Sequence, residues 1–294
     1  MCSELIKEND LIFLVHDHRR KWLISISKGE TFHTNRGYIE LDDLIDIPFG
    51  SVVFSKPYET QGYKFYVLKP LLTDYVLHIT RKTQIVYPED AGLILLYGGI
   101  TPGSKVFEAG CGSGALTCIL GSYIKPSGHV YSFDNRNSSL QRAKKNVKKA
   151  GLEEYITIQK ADILSDDLQL REIDTIVLDL AQPWKAISRV KHYLKLSGIL
   201  VSFSPTIEQV KKTTFELKNN DFFDINTYEL IKRTMQVKEN ATRPQAQMIG
   251  HTGYLTFARK IHDKNNPYRG RKPTSKEYIS LKGMPLRNSK KKEI

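Results

Sequence analysis

The chain has 294 residues, 40% of them hydrophobic, enough for a sizeable core and a second small domain. No apolar run reaches the length of a membrane span, the N-terminal MCSELIKEND has no apolar leader core, and the three cysteines, Cys2, Cys111 and Cys118, form no C-x-x-C pair. A membrane protein, a disulfide framework and a structural metal site are therefore not expected, and a reducing, cytoplasmic setting is. The net charge of +12 favours an anionic partner such as nucleic acid.

In chain order, residues 10 to about 78 carry short β-type runs broken by turn residues: LIFLVHD, KWLISI, GYIEL, SVVFS and KFYVLK. They predict a small N-terminal all-β domain over 1–78. From about Ala91 the rhythm changes to strand and helix in alternation. The strands are KVFEAG, HVYSFD, YITIQKAD, IDTIVLD and GILVSFS, with helices from Ala115, over Ser138–Ala150, after Pro183 and over Ile207–Asn219. DINTYELI and GYLTFARK close the pattern. It predicts an α/β, doubly wound domain with a mostly parallel sheet over 79–262. The remainder, 263–294, holds ten Lys/Arg against three acids, is broken by Pro267, Pro273 and Pro285, and has few large apolar residues. It reads as a basic tail, either a solvated solubility feature or a nucleic-acid arm.

The chemistry concentrates in VFEAGCGSGALT, residues 106–117. Gly110, Gly112 and Ala115 satisfy the dinucleotide pattern G-x-G-x-x-G/A, and Glu108, Gly110, Gly112 and Gly114 equally satisfy E-x-G-x-G-x-G of S-adenosylmethionine enzymes. An ordinary tight strand-to-helix turn fits too. The acids discriminate. Ligands of open α/β sheets lie over the carboxyl ends of the strands, where Glu108, Asp134, Asp162 and Asp179 all fall. Asp134 is spaced to accept both hydroxyls of an adenosine ribose, a feature common to both cofactors. A nicotinamide enzyme has no need of the acid and aromatic in VLDLAQPW, whereas a base-modifying methyltransferase uses a carboxylate and an aromatic wall beside a sulfonium.

Taken with FHTNRGYIELDDLI, DYVLHITRKTQIVYPEDAGLI, VSFSPTIEQV and IGHTGYLTFARK, these motifs resemble the tRNA (adenine-58-N1)-methyltransferases. The resemblance is to their archaeal and bacterial single-polypeptide form and the related eukaryotic catalytic subunit, across nearly all of residues 10–260. It implies a Rossmann-like catalytic domain, S-adenosylmethionine as donor, tRNA as substrate and a homotetramer. By motif, Val86 and the loop Ala109, Gly110, Cys111 and Gly112 would line the methionine half of the donor, with Glu108 and Gly114 in the same cofactor motif. Asp134 and Ser139 would lie near the ribose, and Asp162 and Ile163 near the adenine. Asp179 would lie between methyl donor and target base, with Tyr87 beside it as the second catalytic residue. Where the family usually has proline at the second position after this aspartate, the chain has Ala181, followed by Gln182. Trp184, His251 and Tyr254 are further candidates for the pocket edge, with core packing the simpler reading of Trp184 and a satisfied strand-end ring that of His251. Two alternatives remain at this level: a non-catalytic tRNA-binding subunit, which the retained glycines and acids argue against, and a NAD-dependent oxidoreductase.

Overall fold

The computed structural model describes residues 4–57, 62–82 and 84–262; the basic tail lies outside the described residues. The N-terminal part holds β1 (Leu11–Val15), β2 (Lys21–Ser25), β3 (Thr31–Thr34), β4 (Gly37–Glu40), β5 (Ser51–Phe54) and β6 (Lys64–Leu68). A four-stranded antiparallel sheet runs β2-β1-β6-β5, and β3 and β4 pair as a hairpin. Alternation sets its core: Ile12 and Leu14 of β1 and Phe65 and Val67 of β6 bury one face with Ile6, Ile26 and Leu44. On the opposite face of β1, Phe13 meets the ring of His78 edge-on at 5.2 Å. That residue ends α1 (Leu72–His78), so the helix ties the small sheet to the α/β part of the chain.

Beyond α2 (Pro88–Tyr97) come β7 (Lys105–Ala109), α3 (Ala115–Tyr123), β8 (His129–Asp134), α4 (Asn137–Lys149), β9 (Ile156–Lys160), β10 (Ile173–Leu178), α5 (Ile187–Val190), β11 (Leu194–Ser204), α6 (Ile207–Asn219) and β12 (Phe222–Glu229). A two-residue pairing of β13 (Met235–Gln236) with β14 (Arg243–Pro244) precedes the last strand, β15 (Tyr254–Lys260). The seven-stranded sheet runs β12-β15-β11-β10-β7-β8-β9. Strands β11, β10, β7, β8 and β9 are mutually parallel, and β15 is antiparallel to both its neighbours.

Both faces are covered, which is why these strands read as near-continuous apolar runs. Val106, Val130, Val177 and Val201 point into one core with α1, α2, α3 and α4. Phe107, Phe133, Ile176 and Leu178 point into the other with α5 and α6. The alternating elements thus form the expected doubly wound domain. No helix of the described residues is long and apolar enough to cross a membrane.

Differences from the sequence-based expectations are local. The helix after Pro183 is a single 3-10 turn, Pro183–Lys185, followed by the four residues of α5. Strand β11 starts at Leu194, well before GILVSFS, and a register shift opposite Ile173 and Thr175, with Ser197 at φ 63°, absorbs the extra residues. Strand β9 stops at Lys160, so Asp162 sits in the following turn and does not close the strand.

Candidate active site

The carboxyl ends of β7, β8 and β10 and the turn after β9 enclose a cavity of about 390 Å³, lined by Gly110, Asp134, Arg136, Asp162, Ile163, Asp179, Ala181 and Gln182 among others. Its floor depends on one glycine. Gly110 has φ +93°, and a Cβ there would stand 2.0 Å from the carbonyl oxygen of Asp179. The missing side chain lets the end of β7 lie against the end of β10, where Asp179 N–H donates to the Ala109 carbonyl at 2.9 Å. Gly114, at φ +82°, opens α3, and a Cβ there would come 3.0 Å from Cα of Ala143 in α4. The loop is also clamped from outside: Asn146 of α4 donates to the Ser113 and Thr80 carbonyls, and its own carbonyl accepts the Tyr75 hydroxyl.

Asp134 ends β8 and is 5% exposed. Its carboxylate accepts from Gly112 N–H at 3.1 Å and from the Arg136 backbone N–H and Nε at 2.9 and 3.2 Å. Asp179 is half-buried on the cavity wall, and its surroundings push it up to about 6: burial raises it most, the Arg136 cation pulls it down, and Asp134 adds a smaller rise. The exposed Arg136 guanidinium therefore balances two acids in one cavity. Its position two residues after the ribose-type acid, in FDNRN, was the only sequence signal for it.

Other candidates divide. Asp162 is an exposed turn acid at the cavity mouth, accepting from Leu164 N–H at 3.0 Å, while Ile163 is buried beside it. Ala109 and Cys111 are buried, and burial pushes the Cys111 thiol up, so it is no nucleophile. Ser139, in the first turn of α4, is 1% exposed with its hydroxyl unpartnered, as is that of Ser113 in the glycine loop. Val86 is core, and Tyr87, which caps α2, lines a different cavity. Tyr87 and Asp179 thus do not share one pocket here. Trp184 is half-buried under the ammonium of Lys212, 4.9 Å from its ring centroid. His251 faces the Glu229 carboxylate at 2.7 Å and the Pro205 carbonyl at 2.9 Å, and both acceptors raise its pKa. Gln209 caps α6 and donates to the Ala181 carbonyl at 2.9 Å, pinning the loop that departs from the family pattern.

Glu108 is sealed beneath the cavity. Its Oε2 accepts from Thr117 and Ser132 hydroxyls at 2.6 and 2.5 Å, and burial pushes its pKa up to about 7. A raised acid binds more protons folded than unfolded, so its contribution favours the fold below its ordinary value and is lost as pH rises through about 7. Glu108→Gln is expected to flatten that decline in denaturant titrations between pH 5 and 8, on the order of one pH unit being the spacing needed to see it. An unchanged slope would assign the decline elsewhere.

The family model described as tRNA methyltransferase complex GCD14 subunit matches residues 63–242, and one described as TrmI-like N-terminal matches 6–53. The chain belongs to this family. A relative from Methanocaldococcus jannaschii, named tRNA (adenine(57)-N(1)/adenine(58)-N(1))-methyltransferase TrmI, is 35% identical over 84% of this chain and 94% of its own. Among solved structures, a SAM-dependent O-methyltransferase from Thermotoga maritima superposes with TM-score 0.82 at 29% identity, covering 88% of this chain and 96% of that one. The tRNA (m1A58) methyltransferase TrmI from Aquifex aeolicus gives 0.76 at 26% identity, over 88% and 100%. The fold is that of the S-adenosylmethionine-dependent methyltransferases. Among the described residues no cluster of His, Cys, Asp and Glu could hold a metal ion.

Proposed function

We propose that the protein methylates N1 of adenine 58 in the T-loop of tRNA with S-adenosylmethionine as donor. One observation carries the reading: in a chain of this family, the Asp179 carboxylate stands on the wall of a cavity at the carboxyl edge of the sheet, next to the glycine turn and the ribose-type acid Asp134. The cavity fits the donor. Gly110 leaves room that a Cβ would fill, Asp134 presents a carboxylate, Ile163 offers an apolar wall, and Ser113 and Ser139 hold unpartnered buried hydroxyls beside the loop. Asp134 and Ser139 would hold the ribose side, Asp162 and Ile163 the adenine, and the glycine turn the methionine portion, with Val86 behind it. Glu108 supports that turn from below.

S-adenosylmethionine supplies an electrophilic methyl group. Adenine N1 already carries a lone pair, so the chain's residues need not remove a proton before attack, unlike those of an enzyme with an oxygen acceptor. Asp179 accepts a hydrogen bond from the exocyclic amine, orients N1 and offsets the positive charge that grows on the ring. The target base is engaged in the folded T-loop and must leave its stack, and Tyr87 offers aromatic surface to receive it. Outer residues Val52, Phe54, Tyr66 and Leu68 of β5 and β6 are 37–47% exposed, an apolar stripe that supports self-association into a homotetramer. Light scattering should then give four times the 33.7 kDa chain mass. The basic tail supplies charge for RNA, and a cytoplasmic site of action follows from the substrate.

The deciding experiment is nucleoside analysis of a T-loop transcript incubated with enzyme and labelled donor, with positions 57 and 58 scored separately. Label in 1-methyladenosine at 58 is expected; label elsewhere or none removes the proposal. Asp134→Ala is expected to weaken calorimetric donor binding by about 1.5–3 kcal/mol, the worth of a charge-assisted hydrogen bond. Tight binding of NAD with no heat from S-adenosylmethionine would favour the oxidoreductase reading.

A further inference from the structure

A second cavity, of about 470 Å³, lies on the same edge of the sheet as the first. Its walls come from Leu77 at the end of α1, Tyr87, Glu89 and Asp90 at the start of α2, and the segments around Leu230 and Met248 that lead out of β12 and into β15. Tyr254 at the head of β15 pairs with Ser204 at the carboxyl end of β11, and β11 neighbours β10, after which Asp179 follows. The two cavities therefore flank the strand ends that carry the carboxylate.

The chemistry of this cavity is that of a receptor for a flat, polar-edged ring. Tyr87, Leu77, Leu230, Met248 and Ile249 give apolar surface on its sides. Beneath them Asp90 is 1% exposed with neither carboxylate oxygen hydrogen-bonded in acceptable geometry, and the neighbouring Thr252 hydroxyl is buried and likewise unpartnered. Burial raises the Asp90 pKa, while Thr252 and the His251 charge draw it down. Buried polar groups left without partners are rare and mark a place where a bound molecule completes the set. The volume lies within the range of about 300–1,000 Å³ typical of small-ligand pockets. Around the rim, the 231–247 segment carries Lys232, Arg233, Lys238 and Arg243 against Glu239, a charge balance suited to a phosphodiester chain. Glu89 and Lys232 pair across the mouth.

We propose that this second cavity receives the purine swung out of the RNA, with Tyr87 and the aliphatic side chains against its faces and Thr252, backed by Asp90, hydrogen-bonding an edge turned away from the methyl donor. The inference rests on the reading of the protein as an RNA adenine methyltransferase. Within it, Thr252 is a binding residue and Asp90 a positioning residue, acting through the Thr252 hydroxyl.

Single-turnover methylation of a T-loop transcript, at saturating donor and enzyme, tests this, with calorimetric donor affinity and light scattering alongside. Ile249→Trp fills the cavity from a side chain 53% exposed, where folding tolerates the change. It is expected to lower the rate about 100-fold, the effect of misplacing a reacting group, with donor affinity and particle mass unchanged. Thr252→Val is expected to cost about tenfold, one hydrogen bond's worth, and Thr252→Ser to recover most of that loss. A packing role would rank these two the other way, because valine matches the shape of threonine and serine leaves a gap. Asp90→Asn should behave as Thr252→Val does. If wild type binds no donor or makes no 1-methyladenosine, the functional reading fails. If wild type is active but either Ile249→Trp or Thr252→Val stays within about threefold of it, this inference alone is overturned. An Ile249→Trp that alters particle mass and leaves the rate intact overturns it as well, and makes the cavity an interface between copies.

Discussion

Asp179→Asn is expected to lower the single-turnover rate of bound tRNA by about 10²–10³, while tRNA affinity changes far less. The substitution keeps size and one acceptor oxygen and removes the charge, which counts most when the ring has become cationic. The wild-type pH profile gives an independent check. Burial raises this carboxyl to about 6, so its neutral form persists to higher pH than for an ordinary aspartate. The ionised form is the active one, so kcat/KM should rise with pH through about 6 and then level. Once a cationic donor is bound the carboxylate is easier to ionise, and the inflection in kcat should fall lower. Asp179→Asn should show neither inflection. A variant within about threefold of wild type at saturating donor would make the carboxylate structural.

Gly110→Ala is expected to abolish measurable donor binding and to destabilise the fold by roughly 3 kcal/mol, combining strain at positive φ with a clash that cannot relax. The clash is with backbone: the Asp179 carbonyl lies 2.0 Å from where the Cβ must go. Moving it displaces the residue that carries the chemistry. Gly151 supplies the contrast, with φ +63° and nothing within 4 Å of an added Cβ. Gly151→Ala should cost only about 1–2 kcal/mol and leave donor binding intact. Equal behaviour of the two variants in calorimetry and thermal melts would mean that close approach is not what Gly110 provides.

Asp179 and Gly110 were also the most legible residues in the sequence, and the reason is local. A β-α unit writes its turn in consecutive letters, so 106–117 announces both the end of a strand and the start of a helix. The parallel strands were visible because each is buried on both faces. The helices α1 and α2 escaped notice inside DYVLHITRKTQIVYPEDAGLI, where α1 is only seven residues long and α2 is apolar without a clear polar face. The second cavity left no local signature, because residues 77, 87–90 and 230–252 meet only through the tertiary fold. Tyr87 was legible as an aromatic near the chemistry but not as part of that cavity. Asp90 stood in the same motif, and nothing in its spelling says that its carboxylate is buried.

The place of β15 has a consequence for synthesis of the chain. The strand made last in the described sheet, Tyr254–Lys260, is inserted between β11 and β12. Until those residues leave the ribosome, β11 presents an unpaired edge of buried, apolar residues, the template on which strands of other chains add. A nascent chain halted near residue 242 would hold the complete glycine turn and all four strand-end acids, yet keep that edge open. Premature termination there should therefore yield insoluble protein, whereas a stop after 262 closes the sheet.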